Sequence, residues 1–133
     1  FNVIILLSID WGVKMASKNY FLNGVAELLI LSILKNNDTY IYDIKKTISE
    51  ISNDVLPMSQ NTIYAAAYKL ENEKKISEYS KLVGRKRTRI YYHIEDLGLE
   101  YLEKLTSDYQ MVTTNVCKIL NFLSTYREDK TNE

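Results

Sequence analysis

Residues 59–94 read SQNTIYAAAYKLENEKKISEYSKLVGRKRTRIYYHI, and the period of their apolar positions changes partway along. Ser59 is a suitable N-cap, because its hydroxyl can accept a backbone N–H left open at a helix start. From Gln60 to Glu73, the residues Ile63, Ala66, Ala67 and Leu70 fall at helical spacing and predict one inward face. Gln60, Asn61 and Thr62 make its first turn short and polar, with Tyr64, Tyr68 and Lys69 further along. Ile76 to Val83 and Thr88 to Ile94 then read as strands. The second alternates, with Ile90, Tyr92 and Ile94 on one face and Arg89, Tyr91 and His93 on the other. Gly84-Arg85-Lys86-Arg87 joins the two as a hairpin loop bearing three cations.

On the N-terminal side, Gly24 to Lys35 is apolar on nearly every side, which places a helix in the middle of a core. Asn36, Asn37 and Asp38 end it, and Asp38 or Thr39 can cap the next helix. That helix carries Ile41, Ile44, Ile48 and Ile51 as a single buried stripe at steps of three and four. Ser52, Asn53 and Asp54 break it, and Pro57 excludes helix just before Ser59. The order is helix, helix, helix, basic-tipped hairpin. It predicts a mostly α winged helix-turn-helix over residues 15–95, three helices plus a two-stranded β wing. In that arrangement the third helix enters the major groove and the hairpin touches the backbone or minor groove.

Beyond the hairpin, Leu102, Leu105, Tyr109, Val112, Val116, Ile119, Leu123 and Tyr126 follow alternating steps of three and four. A 3.5-residue repeat sustained this long argues for a helix lying along a partner helix. Residues 96–127 are therefore expected to be a long C-terminal dimerisation helix, and 128–133 a disordered, acidic tail. Cys117 lies one position off the seam and reads as a small, half-buried filler.

The charge distribution supports the same division. The chain has 17 basic and 17 acidic residues, yet residues 59–94 hold eight basic against three acidic. Lys81, Arg85, Lys86, Arg87 and Arg89 sit close together with no acid among them, as a confined phosphate contact requires. The 133 residues are 46% hydrophobic and 26% charged, an ordinary globular mixture of about one domain. One Cys and one His exclude an internal disulfide and a Cys₂His₂ zinc site. No Ser-His-Asp arrangement, Gly-rich phosphate loop or metal cluster stands out, so no catalytic residue, metal or cofactor is expected. A reducing, cytoplasmic setting fits the single Cys. Phe1 to Ile9 is too short to span a bilayer and lacks a basic leader, so no membrane partner is expected. Met15 reads as the natural start, with residues 1–14 a non-native or upstream extension; the alternative is an extra element packed on the domain.

Residues 22–123 resemble the PadR family of bacterial transcriptional regulators, the small kind with one C-terminal dimerisation helix. GVAELLILSIL resembles the family's first helix, and YIYDI at 40–44 its Tyr-Gly-Tyr-Glu-Ile. NTIYAAAYKLENEKKI at 61–76 resembles the recognition helix, and RIYYHIEDLG at 89–98 resembles Arg-x-Tyr-Tyr-x-Leu-Thr-x-x-Gly. Departures are Ile41 for Gly, Lys74 for the Gly that usually ends the recognition helix, and Glu95 for a capping Thr. A non-Gly residue at position 74 costs roughly 1 kcal/mol if the backbone there is left-handed.

The resemblance implies a homodimeric repressor of adjacent genes that binds double-stranded DNA and is released by a small molecule. Ser59, Gln60, Asn61, Thr62, Tyr64, Tyr68 and Lys69 would face DNA from the helix, and Arg85, Lys86, Arg87 and Arg89 from the wing. Leu102, Leu105, Tyr109, Val112, Val116, Ile119 and Leu123 would form the dimer seam. Tyr109 resembles a Trp-bearing position at which family members sandwich flat drug-like molecules, so Tyr109 and Val112 are weak candidates for an aromatic effector. Two other readings stay open: a small-molecule binder with a secondary DNA function, and a winged-helix protein-interaction module. A mobility-shift assay on the protein's own promoter region separates them.

Overall fold

The computed structural model describes residues 20–131, and the side chains of residues 24–127, 129 and 130. The expectations for residues 1–14 and Met15 lie outside these. Helix α1 spans Tyr20–Asn36, α2 Ile41–Ile51 and α3 Gln60–Asn72. Strands β1 (Ile76–Leu82) and β2 (Thr88–Ile94) follow, then the long helix α4 (Asp96–Thr131). Leu102 closes the first compact unit and Glu103 opens the second.

In the first unit α1 buries Ala26, Ile30, Leu31 and Leu34, while Leu28, Leu29 and Ile33 stay half-buried. Against it α2 sets Ile41, Ile44 and Ile48. The expected fourth member of that stripe, Ile51, is 80% exposed. It stands in the last residue of α2 and borders an open groove also lined by Leu29, Ile33 and Leu56. After the Ser52 C-cap the chain turns through Asn53 and Asp54, both at positive φ. Their short polar side chains tolerate that left-handed backbone better than most.

The start of α2 also departs from expectation. Its N-cap is Tyr40, which supplies no side-chain hydrogen bond. Thr39 instead donates to the Asp43 carboxylate at 2.6 Å, and its carbonyl accepts from Tyr92 N at 2.8 Å in an isolated bridge. Asp38 is occupied elsewhere, with the wing. Ser59 does cap α3: its hydroxyl accepts from Thr62 N at 3.1 Å. Ile63, Ala67 and Leu70 are the buried face.

Helix α3 ends at Glu73, and Lys74 has φ 59°. Lys75 N bonds to Leu70 O and Lys74 N to Glu71 O, both at 2.9 Å. This is the pair of bonds that closes a helix through a left-handed residue, a place usually held by Gly. The chain then enters β1, which pairs antiparallel with β2 from Ile76↔Ile94 to Leu82↔Thr88. Val83 falls just beyond the strand, its N–H bonded to Arg87 O at 2.8 Å, and Gly84 takes φ 81° at the turn. Ile76, Tyr92 and Ile94 are buried, whereas Ile90, further out on the same face, is exposed.

Helix α4 begins where β2 returns to the end of α3. Glu95 N donates to Lys75 O at 2.9 Å, and Gly98 lies over the same carbonyl. A Cβ on Gly98 would collide with Lys75 O and lie 2.8 Å from Ile94 Cγ1. Leu102 is 6% exposed and belongs to this unit's core. That burial leaves Leu102 little surface for the expected partner seam, while Leu97 and Leu99 on the same turns stay exposed.

Among the described residues, the second unit contains α4 only. Leu105 and Cys117 are half-buried; Tyr109, Val112, Val116, Ile119, Leu123 and Tyr126 are exposed, Val112 by 55% and Val116 by 47%. The helix continues to Thr131, past the boundary expected at 127, so most of the supposed disordered tail is helical. Extending a helix already nucleated needs only one residue fixed per added bond, so a charged terminal turn can join it.

Gly98→Ala should lower stability by about 1–3 kcal/mol, because neither a backbone carbonyl nor a buried Ile can give way cheaply. Urea unfolding measures this, and an unchanged midpoint contradicts the packing described. Lys74→Gly should raise stability by roughly 1 kcal/mol through relief of the left-handed backbone. A lower midpoint contradicts that assignment.

Candidate nucleic-acid interface

The first turn of α3 is fixed before it meets any ligand. Ser59 Oγ lies 2.9 Å from Thr62 Oγ1 as well as accepting from Thr62 N, so these two hydroxyls hold each other. Gln60, Tyr64 and Tyr68 recur every fourth residue and share one exposed line on the helix, Tyr68 being 70% exposed. Asn61 and Ala65 form the next line, also exposed. Lys69 stands apart from the other cations. Its ammonium lies 3.2 Å from Glu27 Oε1 on α1 and 4.0 Å from Glu73 Oε1. The hydrogen bond and charge of Glu27 hold its pKa above the usual lysine value. Tyr101 of α4 donates to the other Glu27 oxygen at 2.9 Å. The Lys69 charge is thus engaged within the chain.

The wing divides its cations into two kinds. Arg85, Lys86 and Arg87 are exposed on the loop after Gly84. Arg89, one strand position inward, is half-buried with its guanidinium carbon 4.0 Å from the Tyr40 ring centroid. Lys81 of β1 stands 5.0 Å over the Tyr91 ring. Such stacking keeps a cation's hydrophobic stem ordered while its donors stay available.

Helix and wing meet at one groove of about 390 Å³. Gln60 and Tyr64 enter it from α3, Thr88 and Arg89 from β2, and Tyr40 and Tyr42 from the start of α2. Glu78 of β1 adds a single carboxylate to the lining. The groove therefore gathers amide, hydroxyl and guanidinium groups, the donor types that contact phosphates and base edges. Tyr40 and Tyr42 were not among the residues expected to face DNA. The signal for them was the YIYDI motif itself, whose tyrosines bracket the helix start.

His93, on the outer face of β2, meets an acidic partner from far along the chain. Its Nδ1 lies 2.7 Å from Asp38 Oδ1, and Tyr79 OH donates to Asp38 Oδ2 at 2.8 Å. Partial burial pushes the Asp38 carboxyl up, but hydrogen bonds from His93 and Tyr79 and the charges of His93 and Lys81 outweigh it, leaving it below the usual range. The bond to Asp38 raises the His93 imidazole pKa in turn. Among the described residues no group of three or more His, Cys, Asp or Glu is placed to hold a metal, and no helix is long and apolar enough to cross a membrane.

This arrangement has close counterparts. Residues 30–104 match the model of the transcriptional regulator PadR-like family. A transcriptional regulator from Clostridium thermocellum is 26% identical, with a TM-score of 0.69 over 76% of this chain and 95% of that one. A PadR-like transcriptional regulator from Bacillus cereus is 32% identical, with a TM-score of 0.64 over 74% and 94%. Bacillus subtilis PadR, solved in complex with operator DNA, is 25% identical with a TM-score of 0.56, covering 60% of this chain and 45% of that one. With the capped third helix, the hairpin wing and the long last helix in the family's order, this chain belongs to the PadR-like family of transcriptional regulators.

Proposed function

We propose that this chain is a homodimeric repressor that binds an inverted-repeat operator in the cytoplasm and lets go when a small molecule binds. The observation that carries the DNA-binding part is the shared groove, where Gln60 and Tyr64 of α3 face Thr88 and Arg89 of the wing. A groove shared by helix and wing supports this reading, because a winged helix needs a base-reading surface beside a phosphate-binding one. The operator complex of the Bacillus subtilis relative supports the same use of the fold. Gln60, Asn61, Tyr64 and Tyr68 supply the reading surface, with Ser59 and Thr62 holding its first turn. Arg85, Lys86, Arg87 and Arg89 supply phosphate contacts, and Lys69 contributes least because Glu27 already holds it.

Dimerisation is supported by the exposed stripe of Tyr109, Val112, Val116, Ile119 and Leu123 on α4. An apolar line this long, at heptad spacing, favours a partner helix over water. Leu105 is half-buried at its head, and Leu102 is already covered. Tyr109 and Val112 remain the residues we assign to a flat aromatic effector, since both are open to a ligand entering that seam.

The helix and wing make separable contributions. Arg87→Ala should weaken binding to operator and random duplex alike and lower the salt slope by about one unit. Asn61→Ala should narrow the gap between the two DNAs by about 1–3 kcal/mol. Salt titrations on both duplexes measure each effect; equal weakening by Asn61→Ala would show that Asn61 reads no base.

Val116→Asp should split the dimer, because an unpaired carboxylate in an apolar seam costs several kcal/mol. Operator binding should fall with it, since two recognition helices must reach half-sites about one DNA turn apart. Sedimentation at micromolar concentration checks this, and a Val116→Asp protein that stays dimeric rules out the seam.

A further inference from the structure

A hairpin of two strands is marginally stable without support, and the outer part of this wing has almost no core beneath it. One backbone hydrogen bond reaches it from outside the hairpin, Tyr92 N to Thr39 O in the α1–α2 turn, while Glu95 N to Lys75 O closes the root of the hairpin itself. Side chains provide the rest of the support, and they converge on one residue. Asp38 sits in the turn between α1 and α2, yet it accepts hydrogen bonds from Tyr79 of β1 and His93 of β2. The two donors come from different strands and different rungs, since Tyr79 pairs with Tyr91 and His93 with Ser77. One carboxylate therefore fastens both strands at once.

The contact continues toward the tip. Tyr79 stacks on Tyr91 with ring centroids 5.8 Å apart, and Tyr91 meets Tyr40 at 5.4 Å. Arg89 lies over Tyr40, and Lys81 lies over Tyr91. The ladder thus ties the α1–α2 turn to the two cations that flank the loop. None of these groups belongs to the buried core, which Ile76, Tyr92 and Ile94 supply from the opposite face of the hairpin.

We propose that Asp38 is a positioning residue for DNA binding: through Tyr79 and His93 it holds the wing at the angle from which its cations reach phosphate. The proposal rests on the DNA-binding reading above. Because the core lies on the other face, loss of Asp38 should free the wing and leave the domain folded.

The first test is hydrogen exchange of the full chain without DNA. In Asp38→Ala, amides of residues 77–91 should exchange about thirtyfold faster, the factor matching the net worth of two lost hydrogen bonds, while α1 and α3 stay as they were. Asp38→Asn keeps an acceptor for Tyr79 and should recover part of the protection. Unchanged exchange in the wing, or equal acceleration throughout the domain, overturns the proposal. The second test is binding to a random duplex over a salt series. Asp38→Ala should reduce the salt slope by about one unit in the wild-type background. It should add nothing once Lys81, Arg85, Lys86, Arg87 and Arg89 are all Ala. The same loss in both backgrounds also overturns the proposal, because it would mark a general destabilisation. If the protein with all five wing cations replaced keeps the full wild-type slope, the wing is not a DNA contact and the functional reading fails. Exchange alone then decides whether Asp38 positions the wing.

Discussion

The Lys75 carbonyl is the point on which this fold turns. It accepts from Glu95 N, and Gly98 lies against it so closely that no side chain fits between. Helix α3 ends there, β1 begins, β2 comes back and α4 departs, all within a few residues of one oxygen. Lys74 adopts a left-handed backbone just before it, which lets the chain leave α3 and enter the wing without a loop. The side chain of Lys75 adds to the same junction, its ammonium 2.6 Å from Glu73 Oε2 and 3.5 Å from the Tyr101 ring centroid. The end of α3, the root of the wing and the first turn of α4 therefore meet at one close approach.

That constraint gives two conspicuous sequence features a physical reason. The Gly that ends the DLG stretch at 96–98 is needed for its missing Cβ, since its neighbours are a backbone carbonyl and a buried Ile. The position held by Lys74 calls for a residue without a Cβ, and this chain tolerates the cost because two backbone hydrogen bonds close the helix there.

Local order was readable from the residues because local forces set it. Ser59 caps α3, Ile63, Ala67 and Leu70 face inward, Gly84 turns the hairpin, and β2 runs over the residues whose alternation marks it. The errors come from contacts made across long stretches of chain. Ile51 continues a perfect stripe but sits in the last residue of its helix, beside an open groove. Leu102 fits the heptad, yet the domain claims it first. Asp38 looks like a helix cap until the wing, more than forty residues on, supplies better donors. Lys69 pairs with Glu27 of another helix while staying exposed, a partner that spacing along α3 does not reveal. Periodicity reports which face of an element is apolar; it says nothing about which distant group will meet the other face.

In the function proposed for this chain, the first turn of α3 and the wing together form the DNA-facing surface. Hydrogen exchange with and without a duplex at low salt tests it most directly, because the same experiment surveys every element. Slower exchange concentrated in peptides covering residues 59–69 and 81–91 is the result the account predicts. Protection on α4 or α2 with none at those two segments would contradict it.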